Sequence, residues 1–380
     1  MDKVCGLDVH KDSVFACIRD ENEEIILEKR FGTLTSDLDN LRDVLVAHSV
    51  GQVVMESTSI YWMPVWRVLA TDFQLTLANP YLVKQLPGDK TDKKDAKWLS
   101  KCMQKGMIGG SFVPDEELQQ LRQYARRYHY LSKQIVRVEQ RLDNHLQRCN
   151  IRISNYVSNQ GKNKSIRKVL KAIEQGERDP AKLCRLIHGR IKNKHGQEVI
   201  TSSLTGFITD VDVEMFRQCM EELELLEKQQ SQCVKLLEES AMKHYAEEIT
   251  LLCTIPGIQK LSAMCILAEL GVDMSVFFSA AAMVGWAGFR PRNDESAGKI
   301  RSRKIMPGNK YLRKMLIQIG WAAALSNQSF LGKKYRQLSA RMKSQKAVVA
   351  IARKLLVIIF NVLSTRQSFD HKRNMQALPD

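Results

Sequence analysis

Hydrophobic and polar positions in the first hundred residues alternate between a two-residue period and a helical period. The two-residue period and short apolar runs predict five strands, at 3–10, 13–19, 24–31, 52–56 and 74–78. Apolar positions at three- and four-residue steps predict three helices, the first capped by Thr35 or Ser36, the others at 60–70 and 92–106. Three hairpin strands followed by strands separated by helices is the order of a ribonuclease H type of sheet. We therefore predict an α/β domain over residues 1–112.

After Pro114 the pattern changes to long helices. Apolar residues recur at helical spacing from Leu118 to Leu146, without Gly or Pro. A second long helix follows Asp210, where apolar or small residues repeat every seven positions; these heptad positions are Phe216, Cys219, Leu223, Leu226, Gln230, Cys233 and Leu237. Residues 113–150 and 206–249 are predicted to form an antiparallel coiled coil or a dimerising stalk. The alternative is two amphipathic helices packed on a globular core. Between them, residues 151–205 are polar and weakly periodic, which indicates an insertion with partial order.

The remainder, 250–380, reads as an all-helical domain. LLCTIPGIQKLSAMCILAEL is predicted to form a helix, a Pro-Gly turn and a helix, as in a helix-hairpin-helix segment or in an ordinary helical turn.

The apolar stretch AVVAIARKLLVIIFNVL is interrupted by Arg353 and Lys354, so a buried helix is favoured over a membrane span. The charged start MDKVCGLDVHKD is unlike a signal peptide. We expect no membrane partner.

Charge changes this picture more than overall composition does. The 380 residues carry a net charge of +16, which favours a polyanionic partner such as nucleic acid. Residues 286–369 hold 18 Lys and Arg against two acids, so this window alone accounts for +16. Residues 151–205 hold 12 basic and 4 acidic residues, and residues 206–249 hold 4 basic and 11 acidic ones. Two basic regions separated by an acidic helix suggest two nucleic-acid contacts, although a charge run is also typical of a solvated face.

Nine cysteines are scattered along the chain and never spaced C-x-x-C. This argues against a disulfide framework and against a zinc knuckle. We expect a cytoplasmic protein with reduced and mostly buried thiols.

Four carboxylates are candidates for chemistry. Asp8 lies in the first predicted strand and Glu56 ends the fourth, while Asp92 and Asp95 begin the last helix of the α/β domain. In a ribonuclease H sheet the first and fourth strands are neighbours beneath that helix, so the four acids would repel one another unless a cation neutralised them. Mg²⁺ or Mn²⁺ prefers such oxygen ligands, and two ions about 4 Å apart assist phosphodiester cleavage. Alternatively, Asp92 caps its helix and Asp95 pairs with nearby lysines.

A kinase-like ATPase sheet also begins with such a strand and aspartate, but it needs a glycine-rich loop to bind phosphate. It is disfavoured because GLDVHKD has no glycine after Gly6.

An ordered set of motifs resembles the DEDD transposases of the insertion-sequence 110 family: GLDVHKD (6–12), ESTSIYWMP (56–64), NPYLVKQL…KTDKKDAKWL (79–99), TIPGI (254–258), GWAGFRPRNDESAGK (285–299) and PGNKYLRKML (307–316). The resemblance implies a RuvC-like domain with the acidic tetrad on Asp8, Glu56, Asp92 and Asp95. It also implies a coiled coil, a C-terminal domain with a nucleophilic serine at Ser296, and a structured RNA that guides donor and target DNA. The sequence departs from the family's usual glycines at Ser59, Gln259 and Ala297.

The surroundings of Ser296 are strongly basic and could hold a scissile phosphate. We expect DNA contacts from Arg290, Arg292, Lys299, Arg301, Arg303, Lys304, Lys310, Arg313 and Lys314. The leading hypothesis is a prokaryotic, nucleoid-associated transposase or recombinase, in which Ser296 attacks a phosphodiester with help from the metal-bound acids. The alternatives are a RuvC-type nuclease that uses activated water, and a nucleic-acid-binding protein without enzymatic activity. Recombination of two duplexes favours a dimer or tetramer.

Overall fold

In a computed structural model the chain divides into two compact units, Met1–Pro114 and Asp115–Asp380. We call them the sheet unit and the helical unit. The structure describes residues 3–56, 59–83, 92–157, 163–291, 294–296, 299–302, 305, 308–326 and 329–370. Together the two units give an α/β plus α architecture, as the sequence predicts.

The sheet unit is built on five strands whose bounds match the predicted ones within a few residues. They are β1 Lys3–Val9, β2 Val14–Arg19, β3 Ile25–Phe31, β4 Val50–Glu56 and β5 Gln74–Ala78. Their order is β3-β2-β1-β4-β5, with β1 antiparallel to β2 and parallel to β4. The prediction that the first and fourth strands are neighbours is therefore confirmed.

Helices cover both faces of this sheet. They are α1 Thr35–Ala47, α2 Trp62–Leu69, α3 Pro80–Val83 and α4 Asp92–Gln104. Residues of α1 and α2 share one apolar core with Leu7, Val53 and Met55 of the sheet. On the other face Leu99 of α4 packs against Val54. The short helix α3 lies in a segment that the sequence predicts as a loop, because four residues are too few for a periodic signal.

The two longest helices of the helical unit are antiparallel to each other; they are α5 Glu116–Arg148 and α10 Asp210–Cys253. Contacts run in opposite sequence order along them: the Cys233 thiol donates to the Tyr124 carbonyl oxygen, and Arg141 pairs with Glu222. The heptad positions Phe216, Cys219, Leu223, Cys233 and Leu237 are buried. A coiled-coil supercoil of this pair stays a prediction.

Residues 163–205, which we call the basic lobe, are more ordered than the sequence indicates. They form α6 Lys164–Glu174, α7 Pro180–Arg185, α8 Gly189–His195 and α9 Gln197–Ser203. The helices share an apolar core with Phe216 and Leu223 of α10 and Leu142 of α5. Each helix is too short to show a long periodic pattern, and its stability comes from this packing, which is why the sequence reads as weakly periodic.

The C-terminal part contains α11 Lys260–Leu270, α12 Ala280–Trp286, α13 Lys310–Leu325, α14 Phe330–Ser339 and α15 Ser344–Thr365. It is not all-helical as predicted, since β6 Asp294–Ser296 and β7 Lys299–Ser302 form an antiparallel hairpin. Helix α15 is long and apolar enough to cross a membrane by length and composition. Its apolar residues, including Val348, Ile351 and Leu355, are instead buried inside the helical unit.

All nine cysteines are free thiols, eight of them buried. Burial raises the pKa of Cys149 to about 11 and that of Cys265 to about 12. The expectation of buried, unbridged thiols is confirmed.

Candidate functional site

Two of the four predicted acids lie side by side on the sheet. Gly6 pairs with Val54 and Leu7 with Met55 in the parallel register of β1 and β4, so Asp8 and Glu56 follow as neighbours. Val54 faces α4, and residues two apart on a strand share a face. Asp8 and Glu56 therefore lie on the face that α4 covers. Asp8 is 7% exposed and Glu56 is half-buried.

Gly6 explains how closely α4 approaches this face. A Cβ atom at Gly6 would lie 2.2 Å from the Ala96 carbonyl oxygen, so any side chain there would push the helix away. The C-terminal end of α4 is held at the far end of the sheet, where Gln104 donates to the Asp20 carbonyl oxygen. The N-terminal end of α4 therefore points toward the carboxyl end of β1.

Asp92 and Asp95 lie at this N-terminal end. Asp92 is the first residue of α4, and Asp95, three residues later, is half-buried. The side chain of Asp92 lies outside what the structure describes. The backbone thus brings the helix start toward Asp8 and Glu56, as the strand order predicts.

His10 is a neighbour of Asp8 that sequence reasoning missed. Its Nε2 lies 2.9 Å from Asp8 Oδ2, at hydrogen-bond distance. The two side chains come from the same end of β1 and the turn that follows it. The spacing Asp-x-His at the end of a strand, where both side chains share one face, was the available signal.

The donor chemistry of these acids fits a hard divalent cation. Asp8, Glu56 and Asp95 offer carboxylate oxygens, and a nearly buried carboxylate is costly unless a positive charge or hydrogen bonds compensate it. Within the described part of the chain no group of three or more His, Cys, Asp or Glu side chains is arranged to hold a metal ion. That set does not include the side chain of Asp92.

Ser59 has a backbone conformation that favours glycine, the residue usual at this position of the family that the sequence resembles. Its φ is +52°, in the left-handed region that costs a residue with a Cβ roughly 1–2 kcal/mol. Ser59 lies three residues after Glu56, the last residue of β4, and the two residues between them, Ser57 and Thr58, lie outside the described residues. The backbone at the end of β4 therefore keeps a conformation suited to glycine even where the sequence has serine.

Ser296 ends strand β6 of the hairpin in the helical unit. It pairs with Lys299 of β7, and the two residues between them, Ala297 and Gly298, lie outside the described residues. The side chain of Ser296 is also outside what the structure describes. Ser296 therefore sits at the tip of a hairpin, where the sequence predicts a loop, because three- and four-residue strands give no alternation long enough to detect.

The base of this hairpin is fastened to the helices around it. Pro291 and Ile305 form an antiparallel bridge. A Cβ atom at Gly308 would lie 2.4 Å from the Ala287 carbonyl carbon, so the chain passes here at close range. Arg313 Nη2 donates to the Gly288 carbonyl oxygen at 3.1 Å. Part of the PGNKYLRKML motif thus holds the two ends of the hairpin together.

A buried carboxylate ties the same motif to the long helix α5. Glu269 of α11 is 1% exposed, and its two oxygens accept from Arg126 Nε and Nη2 at 2.8 and 2.9 Å. Asn309 Nδ2 also donates to Glu269, at 2.5 Å, while the Asn309 side-chain oxygen caps α13. The hydrogen bond to Glu269 raises the pKa of Arg126. Sequence reasoning missed this cluster because its members are far apart in the chain.

Replacing Glu269 by alanine should destabilise the protein by about 3 kcal/mol, since Arg126 and Asn309 lose a buried partner. The lower end of the usual range applies because the Arg126 side chain is 42% exposed. The matched control is Glu238→Ala, whose carboxylate pairs with Lys260 at the surface and should cost less than about 1 kcal/mol. Urea unfolding measures both. Equal losses would contradict the assigned role of Glu269.

His129 of α5 packs beside this cluster. It is 7% exposed, and its ring centroid lies 5.8 Å from that of Tyr311. Burial, and then the positive charge of Lys314, lower the pKa of His129. The folded protein therefore disfavours the imidazolium form.

This shift predicts a pH dependence of stability. As pH falls below about 6.5, the unfolded chain protonates His129 first, so stability decreases until pH passes the lower folded pKa. The slope from this residue is at most about 1.4 kcal/mol per pH unit. His129→Phe keeps a ring and should flatten the dependence measured by thermal unfolding between neutral and mildly acid pH. An unchanged slope would show that other groups cause it.

The predicted DNA-contacting residues are distributed around the hairpin and the start of α13. Arg290, Lys310 and Lys314 are exposed, and Arg313 is half-buried. Lys299 and Arg301 lie on β7, but their side chains are outside what the structure describes. Arg292, Arg303 and Lys304 lie outside the described residues. Three of the predicted DNA-contacting residues, Arg290, Lys310 and Lys314, are thus exposed cations near the hairpin in sequence.

Two family models match segments of this chain. Residues 5–151 match a family model described as a transposase, and residues 249–336 match one described as the transposase IS116/IS110/IS902 family. Together these segments cover more than half of the chain, and the chain belongs to the IS110 family of transposases.

Two curated relatives are pilin gene-inverting proteins. The one from Moraxella bovis is 31% identical over 126 residues, which is 32% of this chain and 39% of that protein. The one from Moraxella lacunata matches over the same shares at the same identity. The match therefore covers 39% of the full length of each of these relatives.

Proposed function

We propose that this protein is the transposase of an insertion sequence and acts as a DNA recombinase. The observation that carries the proposal is the pair Asp8 and Glu56, side by side under α4 in a chain of the IS110 family. Family membership supports an enzyme that acts on DNA, and the pilin gene-inverting relatives are named for a DNA rearrangement.

A RuvC-like fold for residues 1–112 is part of this proposal. The strand order β3-β2-β1-β4-β5, with only β2 antiparallel to its neighbours β1 and β3, agrees with a ribonuclease H topology. We further propose that residues 113–150 and 206–249 form the coiled coil and that residues 250–380 form the transposase domain. The Pro-Gly turn between α10 and α11, with Gly257 at φ +92°, is the candidate helix-hairpin-helix segment.

In the proposed reaction, the Oγ atom of Ser296 attacks a phosphorus atom of DNA. A bond forms between Oγ and phosphorus while the bond from phosphorus to a deoxyribose oxygen breaks, and the hydroxyl proton passes to a base or to the departing oxygen. The covalent serine–DNA ester is then attacked by a hydroxyl group of another DNA end, which frees Ser296. Each step exchanges one phosphoester bond for another, so no ATP is consumed.

The chain's own residues have distinct roles in this scheme. Arg290, Lys310 and Lys314, with the other basic residues around the hairpin, bind the DNA backbone and stabilise charge on the reacting phosphate. Asp8, Glu56, Asp92 and Asp95 would hold Mg²⁺ or Mn²⁺. When bound, such an ion supplies charge stabilisation and lowers the pKa of a coordinated hydroxyl group. A serine hydroxyl needs this kind of activation because it is a weak nucleophile by itself.

The proposed partners come from the family resemblance and from the need to join two duplexes. Donor and target DNA are the substrates, a structured guide RNA encoded by the element pairs with both, and two or four copies of the chain act together. The reaction takes place in the cytoplasm, at the nucleoid of a prokaryotic cell.

The products of one incubation distinguish this function from the two alternatives. The protein is mixed with Mg²⁺, a transcript of the element's noncoding end and a nicked DNA carrying the element's junction, and the products are separated under denaturing conditions. We expect DNA covalently attached to protein, and joined strands once a second DNA is added. Free cleaved ends without attached protein would instead indicate a RuvC-type nuclease, and intact DNA under conditions of full binding would indicate a binding protein.

A further inference from the structure

The basic lobe lies between the two parts of the chain that match the family. The matched segments end at residue 151 and resume at residue 249, so residues 163–205 lie outside both of them. The lobe nevertheless has a well-packed interior, with Ile166, Ile173, Leu183 and Ile200 each at most 1% exposed. The surface of this folded lobe is basic, with ten Lys and Arg residues against four acids over residues 163–205.

One stripe of this surface runs along α6. Lys164, Lys168 and Lys171 are spaced by four and three residues, which places them on one face of the helix. All three are exposed, while Ile166, Val169 and other residues on the opposite face are buried. The stripe extends over nearly the full length of α6.

A second basic segment adjoins the first turn of α6. The backbone N–H of His188, which caps α8, donates to the Ser165 hydroxyl at 3.0 Å. The start of α8 therefore lies directly beside Lys164. Helix α8 then contributes Arg190, Lys192 and Lys194 within its seven residues. The two segments bring cations from separate helices to adjacent positions.

The acids of the lobe do not neutralise these cations. Glu177 pairs with Lys182 and Asp179 caps α7, while Glu174 and Glu198 form no ion pair with the lobe's cations in the described part of the chain. Across the described residues, several cations of the lobe have no carboxylate within ion-pair distance; they are Lys164, Lys168, Lys171, Arg185, Arg190, Lys192 and Lys194. Like charges at this spacing repel one another, and a bound polyanion such as a phosphate backbone relieves that repulsion.

We propose that the basic lobe is a second nucleic-acid-binding site, which grips the phosphate backbone of a duplex with α6 and the start of α8. The shared chemistry is the row of phosphates, and the duplex is either a stem of RNA or a flank of DNA. Side chains that end in ammonium groups and lie along a helix suit backbone contacts without base readout. Binding at this site does not depend on Ser296. A failure of this proposal can therefore be distinguished from a failure of the proposed reaction.

The test compares full-length protein with the variant K164Q/K168Q/K171Q, in a Ser296→Ala background that holds cleavage silent. Binding to duplex RNA and to duplex DNA of the same sequence is measured over a range of salt concentrations. Each lost phosphate contact lowers the log–log salt slope by about 0.9 for DNA. We expect the slope to fall by about 2 to 3 on at least one probe, and the affected probe identifies the source of the phosphates.

The matched control is K228Q/K235Q/K243Q, which removes three exposed lysines from the acidic helix α10. It should leave both slopes nearly unchanged. Thermal unfolding checks that each variant is folded, and R190Q/K192Q/K194Q tests the adjoining segment independently. Unchanged slopes on both probes in both lobe variants, or an equal decrease in the control, would overturn the proposal.

Discussion

Replacing Ser296 by alanine should abolish the covalent protein–DNA adduct, reducing its rate of formation by about 10³-fold or more, because the attacking oxygen is removed. Binding of DNA should change little, since the hydroxyl group adds no charge. The adduct is measured as DNA that migrates with protein on a denaturing gel, using a nicked substrate that prevents rejoining.

Ser302 provides the matched control. It lies on the second strand of the same hairpin, where its backbone pairs with Asp294. Ser302→Ala makes the same chemical change in the same element and should keep adduct formation near that of the unchanged protein. An adduct that forms equally from the unchanged protein and from Ser296→Ala would remove Ser296 from the mechanism.

Replacing Asp8 by asparagine should have a similarly large effect on DNA cleavage. The substitution keeps the shape of the side chain and removes one negative charge at the carboxyl end of β1, beside Glu56 of β4. We expect Mg²⁺-dependent strand cleavage to fall by about 10³-fold or more, since charge stabilisation by a bound metal is worth several kcal/mol. Mn²⁺ binding, followed by electron paramagnetic resonance, should weaken in parallel.

The control for Asp8 is Asp43→Asn. Asp43 is an exposed residue of α1 that pairs with Arg42 at the surface. It should leave cleavage and Mn²⁺ binding unchanged. Full cleavage by Asp8→Asn, with the same Mg²⁺ dependence, would show that this carboxylate is structural.

The sheet unit could be predicted from sequence because its signals are local. Alternation in β1, β2 and β3 is seven residues long or nearly so, and the helices between strands carry clear apolar stripes. Since the order of these elements limits the possible sheets, the adjacency of Asp8 and Glu56 followed from topology alone. The glycine at position 6 could be noticed in the sequence, but its reason, the approach of Ala96, required the structure.

The parts that could not be predicted depend on contacts between distant residues. Glu269 is 143 residues from Arg126 in sequence and 40 from Asn309, and no local pattern signals that they meet. The hairpin that carries Ser296 has strands of three and four residues, too short for a periodic signal. The helices of the basic lobe are stabilised by Phe216 and Leu223 of α10, so their sequence alone reads as polar and irregular.

The most direct test of the central claim is to identify the residue that carries DNA in the trapped adduct. The adduct from the nicked substrate is digested with nuclease and protease, and the peptide bearing a nucleotide is sequenced by mass spectrometry. We expect a nucleotide joined to Ser296 in the segment DESAGK. A nucleotide on any other side chain, or free cleaved ends with no modified peptide, would contradict it.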